Sequence, residues 1–498
     1  MTEPCELTAT EARRLIGRKA LSPVELLESC LRRIAAVNPA VNAIVAMEVE
    51  RTREAARAAE AAVARGDALG PLHGVPVGVK DMEETAGLRT TWGSPFFRDY
   101  VPAEDCGMVA RLRNAGAIIL GKTNVPEFGL GANTRNSVHG ATGNPFDPTR
   151  SAAGSSGGSA VALATGMAPL CTGSDQGGSL RNPAAFCGVV GYRPSPGLVA
   201  SEKYPHGWSP LSVLGPMARN VPDAALLLAA QASDDARDPL AYTLHARAVR
   251  GKPTMFHPVR RLDLSTLRMG FTEDFGQAPV ETVVREAFRT RVAALTPLFL
   301  GAEPAHPSVA GGDEAFEVLR ATLALTAHLD RVRTRPQDCG PNMHANVEEG
   351  LRYTLADHAR AAAAQTRIYR DFQRFFGQFD LLVTPAISIT PRPWRELAPR
   401  EIEGRPTRTY FHWLALAYYV SLVGHPAISL PMGVDARGMP FGLQIVGPRG
   451  GDAFVLAVAA AIEEAFAEDA ALRRPEPDLA RLRAAPPISG MEGFLGFG

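Results

Sequence analysis

The first seventy residues have the spacing of amphipathic helices. The segments that begin at Thr8 and Ser22 each place a glutamate three residues after a hydroxyl residue, which is the pattern of a helix N-terminal capping box. Pro23 stands at the first helical position of the second segment. An alanine-rich charged helix is predicted over 49–65. Residues 1–70 are therefore predicted to form a helical segment that packs on the rest of the protein.

Short apolar runs alternate with helical patterns from residue 71 onward. Strands are predicted at 75–79, 117–120, 169–173, 380–384, 427–431 and 441–446, and helices at 106–114, 157–165 and 453–466. Strands and helices that alternate at this spacing are typical of an α/β fold with a layered sheet. The stretch 275–375 is mostly helical in pattern and rich in alanine, so we expect a helical elaboration beside the sheet.

The composition narrows the classes to which this protein can belong. Its 498 residues include 52 Lys and Arg and 52 Asp and Glu, so the formal charge is zero. Nucleic acids and anionic membranes attract basic surfaces, and we therefore expect neither as a partner. No apolar stretch approaches the ~20 residues of a membrane helix, and the first residues lack the apolar region of a secretory signal. A cytoplasmic location is the expectation.

Lysine is rare in this chain, and two lysines lie in unusual surroundings. Only Lys19, Lys80, Lys122, Lys203 and Lys252 occur among the 52 basic residues, and the other 47 are arginine. Arginine stays charged in proteins, whereas a buried lysine can lose its proton near neutral pH. Lys80 and Lys122 each lie in a glycine-flanked apolar run. They are candidates for such chemistry, with an ordinary surface charge as the alternative.

The most unusual segment is 151–191, SAAGSSGGSAVALATGMAPLCTGSDQGGSLRNPAAFCGVVG. Its glycines and serines are interleaved with helix and strand patterns, which a flexible linker does not show. Ser155, Ser156 and Ser179 stand where serines commonly cap a helix, and this structural interpretation stays open. Glycines beside them let backbone N–H groups approach a ligand, so the segment also fits a nucleophile with an oxyanion hole.

Known motifs fit this segment only in part. Residues 154–158 match G-x-S-x-G, the nucleophile elbow of α/β-hydrolases, with Ser156 as the nucleophile. That elbow directly follows a strand, but the preceding NPFDPTRSAA is polar and contains prolines, which a central strand does not tolerate. The glycine runs match neither the phosphate-loop nor the dinucleotide pattern. Six scattered cysteines without a C-x-x-C pair predict neither a zinc site nor a disulfide scaffold.

Lysine remains as the candidate base. His139, His206, His412 and His425 lie in loops or apolar helices and are interpreted as structural. Lys80 lies at the end of the apolar run GVPVGVKD, where burial favours the neutral amine. To act near pH 7, its pKa must fall by ~3 units from ~10.4. A serine activated by a lysine is a known form of enzyme nucleophile.

The chain resembles the amidase signature family, and the resemblance rests on seven motifs in the family's order. They are GVPVGVKD (74–81), LGKTNVPEFG (120–129), GSSGGS (154–159), GSDQGGSLRNPAAFCGVVG (173–191), GPMARNVPDAALLL (215–228), GHPAISLPMG (424–433) and PFGLQIVGP (440–448). The resemblance implies an α/β fold with a mixed twisted sheet covered by helices on both faces. It implies a catalytic domain over 71–470 with its signature core at 145–195. The C-terminal tail 471–498 follows this domain. Its last stretch, APPISGMEGFLGFG, is rich in proline and glycine and contains Phe494 and Phe497, and we expect it to be a loosely held terminus.

The resemblance also implies roles for individual residues. Lys80 would be the base, Ser155 the bridging serine in a cis peptide, and Ser179 the nucleophile. The backbone N–H groups of Gln176, Gly177, Gly178 and Ser179 would form the oxyanion hole, with Gly129 near the acyl pocket. Ser156, Asp175 and Arg181 would support the loop, and Lys122 would be structural. Such an enzyme needs no cofactor and no metal.

The implied function is hydrolysis of an amide through an acyl-enzyme. The loop 199–210 and the aromatic residues of 410–419 suggest a lipophilic or aromatic amide, anilide or carbamate as the small-molecule substrate, although Tyr418 and Tyr419 fit ordinary helix core equally well. The alternatives are a glutaminase or transamidase subunit of an aminoacyl-tRNA amidotransferase, an esterase based on Ser156, or an inactive binding protein. A homodimer is a possible assembly.

Overall fold

A computed structural model describes residues 3–241 and 255–496. Its strands are β1 (Ile44–Ala46), β2 (Pro76–Lys80), β3 (Ile118–Thr123), β4 (Arg135–Asn136), β5 (Gly140–Ala141), β6 (Leu170–Asp175), β7 (Val190–Arg193), β8 (Val213–Ala218), β9 (Arg268–Phe271), β10 (Gly301–Pro304), β11 (Leu381–Pro385), β12 (Glu401–Ile402), β13 (Arg405–Pro406), β14 (Ala427–Val434) and β15 (Pro440–Val446). Eleven of these strands form one sheet, in the order β1-β3-β2-β6-β8-β7-β14-β15-β11-β9-β10.

The sheet is mixed. Its parallel pairs are β3–β2, β2–β6, β11–β9 and β9–β10. The other neighbours, such as β6 with β8 and β14 with β15, run antiparallel. Strands such as β2 and β15 are buried along their whole length, because helices cover both faces of the sheet. The expected α/β class and mixed sheet are therefore confirmed.

The helices surround this sheet. They are α1 (Ala9–Gly17), α2 (Pro23–Val41), α3 (Val49–Arg65), α4 (Gly107–Asn114), α5 (Gly157–Ala164), α6 (Arg181–Cys187), α7 (Val221–Gln231), α8 (Thr282–Leu295), α9 (Gly312–Thr334), α10 (Pro341–Arg352), α11 (Leu355–Phe376), α12 (Ala415–Val423), α13 (Asp452–Ala465) and α14 (Leu479–Ala484). The capping box at Ser22 forms as its sequence indicates, and α3 has the bounds expected for the alanine-rich helix.

The N-terminal segment differs from the expectation in one element. Besides its helices it contributes β1, which pairs antiparallel with β3 at the edge of the sheet. The segment 275–375 supplies α8 to α11, as expected, and also the edge strand β10. Both strands are too short to show an alternating pattern in the sequence.

The prediction of a loosely held C-terminal tail is wrong for the described residues up to 496. Leu482 and Ile488 are buried, and Phe494 packs with Trp394 in a small apolar cluster. The Arg395 side chain donates to the carbonyl of Glu492 at 2.9 Å. Proline and glycine in this segment mark turns between apolar anchors, and the anchors hold it to the domain. Phe497 lies outside the described residues.

Candidate active site

Lys80 is the last residue of β2, and three serine hydroxyls surround its amine. Its Nζ donates hydrogen bonds to Ser155 Oγ at 2.7 Å, Ser156 Oγ at 2.9 Å and Ser174 Oγ at 2.8 Å. The Lys80 side chain has no exposed surface. Because β2 and β6 run parallel, their carboxyl ends bring Lys80 and Ser174 to the same edge of the sheet. Ser174 lies in the motif 173–191, but the sequence analysis gave it no role.

The surroundings of Lys80 favour the neutral amine. Burial lowers the pKa of Lys80 from the ordinary value of a lysine to about 8, although the carboxyl groups of Glu83 and Asp175 act in the opposite direction. Burial has this effect because a charged ammonium loses its hydration inside the protein. About one amine in ten is then neutral at pH 7. The buried amine is therefore able to accept a proton near neutral pH.

Ser155 and Ser156 lie in the loop before α5. The Gly154–Ser155 peptide bond is cis, as the family resemblance implied. Ser156 stands at the N-cap position of α5, but its hydroxyl makes no capping hydrogen bond and accepts from Lys80 instead. Residues 152–155 form no strand. The strand that a nucleophile elbow at Ser156 requires is therefore missing from this part of the chain.

Ser179 lies in the turn between β6 and α6. In the described part of the chain, the backbone N–H groups of Gln176, Gly177 and Ser179 have no acceptor within the protein. The N–H of Gly178 differs, because it donates to Asp175 Oδ1 at 2.9 Å. Gly178 was expected among the oxyanion donors, and its N–H makes this internal bond in the structure. The φ of Gly178 is +110°, which explains the glycine at this position.

Asp175 ties this turn to the rest of the core. It is fully buried, and its carboxylate accepts from the side chains of Arg181 and Arg193 at 2.9 to 3.0 Å and from the N–H of Leu180. Burial by itself would raise the pKa of Asp175, but the two guanidinium groups hold that pKa well below its usual range. Arg181 also donates to Ser421 Oγ on α12 at 2.7 Å. The turn that carries Ser179 is therefore anchored by charge-assisted hydrogen bonds.

Asp175→Asn is expected to lower the free energy of unfolding by about 3–5 kcal/mol, because it leaves Arg181 and Arg193 buried without a counter-charge. Urea denaturation measures the loss. Asp147→Asn is the matched control, since Asp147 pairs with Arg150 at 3.2 Å in a half-buried position, and its loss is expected to stay below about 1 kcal/mol. Equal losses in the two variants would contradict the assignment of Asp175 as the anchor of the turn.

Two further positions that the sequence singled out lie close to Lys80. Gly129 has a φ of +72°, and a Cβ added to it would lie 3.3 Å from Ser155 Oγ. Lys122, on the neighbouring strand β3, is buried and donates to the backbone carbonyl of Glu83 and to Thr85 Oγ1. Gly129 thus leaves room beside Ser155, and the contacts of Lys122 support its structural interpretation.

A cavity of about 510 Å³ adjoins these residues. Ser174 and Gln176 line it, and so do aromatic side chains that the sequence pattern did not indicate, namely Trp92, Phe97, Tyr100 and Phe128. One face of α9 forms another wall, with residues spaced three and four apart: Arg320, Leu323, Ala324, Ala327, His328 and Arg331. The helical elaboration therefore helps to enclose the site.

The expected lining of this cavity was partly wrong. The loop 199–210 does contribute, through Ser201 to His206. The aromatic residues of 410–419 do not line the cavity. Tyr418 and Tyr419 are buried core residues whose hydroxyls both donate to Asp313. Asp313 is on α9, and every residue of α12 is buried, as in a helix that is apolar on all sides.

The comparisons with known proteins place this site in a family. The family model described as Amidase matches residues 25–456. The chain belongs to the amidase signature family. An acylamidase of Rhodococcus erythropolis is 34% identical to this enzyme, over 92% of this chain and 95% of the relative. A glutamyl-tRNA(Gln) amidotransferase subunit of Acidothermus cellulolyticus is 36% identical, over 94% and 96%.

Solved structures of the amidase signature family share its fold. A bacterial aryl acylamidase of the family superimposes with a TM-score of 0.86 at 26% identity, covering 97% of this chain and 99% of the other. The glutamyl-tRNA(Gln) amidotransferase subunit of Thermotoga maritima gives 0.73 at 26% identity, covering 96% and 99%. Among the described residues of this amidase, no helix is long and apolar enough to cross a bilayer.

Proposed function

We propose that this enzyme hydrolyses an amide through an acyl-enzyme on Ser179, with Ser155 and Lys80 as the proton relay. One observation carries the proposal: the buried amine of Lys80 lies 2.7 Å from Ser155 Oγ. Hydrogen-bond distance is what proton transfer between these groups requires. The lowered pKa of Lys80 supports the same role, because only a neutral amine accepts a proton.

The proposed proton path starts from neutral Lys80. Lys80 accepts the proton of Ser155 while Ser155 accepts that of Ser179, and the Ser179 oxygen bonds to the amide carbon. Ser155 then gives a proton to the leaving nitrogen as the carbon–nitrogen bond breaks, which makes departure of the amine possible, and Ser155 recovers its own proton from Lys80. Water hydrolyses the acyl-enzyme by the same path and restores Ser179 and neutral Lys80. Every proton that leaves a serine or water ends on the departing amine or on a serine, and Lys80 ends in its neutral form.

The negative charge on the carbonyl oxygen needs donors that are already in place. The N–H groups of Gln176, Gly177 and Ser179 are suited to this, since they have no acceptor within the described protein. One such donor is worth about 3 kcal/mol of transition-state stabilisation. Asp175 and its two arginines keep the turn in position, so the donors need no rearrangement during the reaction.

The test of this chemistry is a covalent label. A fluorophosphonate probe is expected to modify Ser179, and peptide mass spectrometry locates the adduct. Lys80→Ala is expected to suppress the labelling, because Ser179 then lacks its base. An adduct on Ser156 would overturn the proposal and favour the α/β-hydrolase alternative.

The cavity supports an aromatic or lipophilic amide as the substrate class. Trp92, Phe97 and Tyr100 contact one another, with ring centroids 4.6 to 5.8 Å apart, and Phe128 packs against Phe97 on the cavity wall. Burying an aromatic group against such rings contributes hydrophobic energy and specific ring contacts. A small polar amide gains neither.

A panel of amides, anilides, esters and carbamates tests this substrate class. We expect kcat/KM for an aromatic anilide to exceed that for acetamide by at least about 100-fold, the value of roughly 3 kcal/mol of apolar burial. Trp92→Ala is expected to reduce this preference while leaving acetamide hydrolysis unchanged. A preference for acetamide would contradict the assignment.

A second candidate is a glutaminase subunit of an aminoacyl-tRNA amidotransferase. The 36% identity to such a protein over 94% of the chain favours it. The higher TM-score with the aryl acylamidase, 0.86 against 0.73, favours the hydrolase. Release of ammonia from glutamine and from no other amide, and only in the presence of a partner protein, would support the second candidate. Hydrolysis of anilides by the isolated chain would exclude it as the sole activity.

A further inference from the structure

Two arginines of α9 line the cavity, and neither forms an ion pair with a carboxylate of the described residues. Arg320 and Arg331 are separated by about three helical turns, so they lie on the same face of the helix. The carboxylate of Glu317, one turn before Arg320, pairs with Arg408 at 3.1 Å instead. The cavity therefore holds two guanidinium charges without a counter-charge.

The guanidinium of Arg320 is held in place by uncharged groups. It donates to Asn346 Oδ1 and to the hydroxyl of Tyr410, and its Cζ lies 4.3 Å from the ring centroid of Phe411. The residue is 8% exposed, and a buried charge is costly unless an opposite charge lies near it. A guanidinium has five N–H donors, so these bonds leave donors for a ligand.

Arg331 lies over the aromatic wall of the same cavity. Its Cζ is 5.0 Å from the ring centroid of Phe128 and 5.8 Å from that of Phe97. Its side chain also donates to the carbonyl of Ala327, one turn earlier on α9. A substrate ring that packs against Phe97 and Phe128 therefore lies beside a positive charge.

His328 lies between the two arginines along α9 and supplies no negative charge. Its ring centroid is 4.8 Å from that of Phe128, and its Nδ1 is buried without a hydrogen bond among the described residues. Burial, together with the positive charges of Arg331 and Arg320, lowers the pKa of His328 to about 4. The imidazole is therefore neutral, and both guanidinium groups lie close enough to act on it.

The carboxyl groups that line the cavity have other partners. Glu84 pairs with Lys203 at 2.6 Å, and Glu202 accepts a backbone N–H at the start of α4 at 2.7 Å. Glu83 accepts from Thr172 Oγ1 at 3.4 Å. Since none of the three forms an ion pair with Arg320 or Arg331, the arginines of α9 remain free to bind an anion.

The arginines of α9 are within reach of a substrate at the catalytic turn. A Cβ added to Gly177 would lie 2.9 Å from the ring of Phe316 on α9. Arg320 follows Phe316 by about one helical turn, a rise of ~6 Å. Gln176, beside Gly177, lines the same cavity as the arginines. A substrate whose amide lies at this turn therefore extends toward α9.

We propose that the substrate is an aromatic amide that also carries a carboxylate, and that Arg320 and Arg331 bind this carboxylate. The inference rests on the proposed function and narrows the substrate class given there. A planar guanidinium matches a carboxylate in geometry and in charge. A neutral aromatic amide gains the ring contacts but leaves both guanidinium charges unpaired.

A matched pair of anilides tests this specificity. 4-Acetamidophenylacetate and 4-ethylacetanilide have the same ring and the same amide, and they differ in a carboxylate that replaces a methyl group. We expect wild type to have a kcat/KM for the carboxylate at least about tenfold higher, the effect of one hydrogen bond to a charged group. A preference for the neutral anilide would overturn the inference.

Three variants locate the carboxylate. Arg320→Gln and Arg331→Gln are expected to reduce the preference about tenfold each, with a smaller effect on the neutral anilide. Arg333→Gln is the matched control, because Arg333 is exposed on the same helix and does not line the cavity. Its preference is expected to equal that of wild type. If Arg320→Gln does not fold, Arg331→Gln decides the test, and an unchanged preference in every arginine variant that folds would overturn the inference.

A binding measurement separates this inference from the proposed chemistry. 3-Phenylpropionate and 3-phenyl-1-propanol contain no amide, so their binding to wild type needs no hydrolysis. Isothermal titration calorimetry is expected to show at least about tenfold tighter binding of the carboxylate, and loss of this difference in Arg331→Gln. Equal affinities, or no binding of the carboxylate, would overturn the inference alone. Full hydrolytic activity of Ser179→Ala would instead overturn the proposed function.

Discussion

Lys80→Arg is expected to reduce kcat/KM by at least about 1,000-fold although the positive charge remains. A guanidinium does not lose its proton in proteins, whereas the proposed relay needs a neutral amine next to Ser155. General-base catalysis contributes about 10²–10⁴-fold, so its complete loss has this size. Steady-state kinetics at several pH values measure the effect, and a thermal melt shows whether the variant folds.

The control for this variant is Lys19→Arg, because Lys19 is exposed and donates to the carbonyl of Ala64 on α3, where any positive charge serves equally well. Its activity is expected to equal that of wild type. Activity of Lys80→Arg within tenfold of wild type would mean that Lys80 acts as a fixed charge, and the relay would have to be abandoned.

Ser179→Ala is expected to lower kcat by about 10⁴–10⁶-fold, the effect of removing a nucleophile from a serine hydrolase. The reason is that no covalent intermediate forms without the Ser179 oxygen. Rapid quenching followed by intact-mass spectrometry detects the acyl-enzyme in wild type and tests for its loss. The fold should be unaffected, since the Ser179 hydroxyl makes no hydrogen bond within the described protein.

Ser156→Ala separates this outcome from the alternative. Ser156 is buried and accepts a hydrogen bond from Lys80, so its removal is expected to disturb the amine and to cost less than loss of Ser179. An active Ser179→Ala together with an inactive Ser156→Ala would identify Ser156 as the nucleophile instead.

The strands near the site show what the sequence pattern was able to predict. The short apolar run 75–79 corresponds to β2. A strand that is buried on both faces is apolar at every position, so the sequence shows it as a continuous apolar run. β8 was missed although it lies in the middle of the sheet. Its sequence contains Gly215 and Pro216, and proline in a central strand normally argues against that assignment.

Some residues of the site were predicted from the sequence, and others were missed. Lys80, Ser155 and Ser156 were singled out by local motifs, and they do lie together. Glu83 and Trp92 were missed, because their places beside the amine and in the cavity depend on turns and long-range packing. The engagement of Gly178 with Asp175 was also missed, since a glycine in a motif does not reveal which N–H groups are already used.

Arg181 has a consequence for the order in which this protein becomes functional. Its guanidinium bonds Asp175, the carbonyl of Ala417, Ser421 and the side chain of Gln444. The turn with Ser179 is thus secured by residues made more than 200 positions later. A nascent chain on the ribosome contains Lys80 and the serines around it long before Ala417, Ser421 and Gln444 are synthesised. The contacts that hold this turn therefore form only after α12 and β15 have been synthesised, and hydrolytic activity is expected only of a chain that includes them.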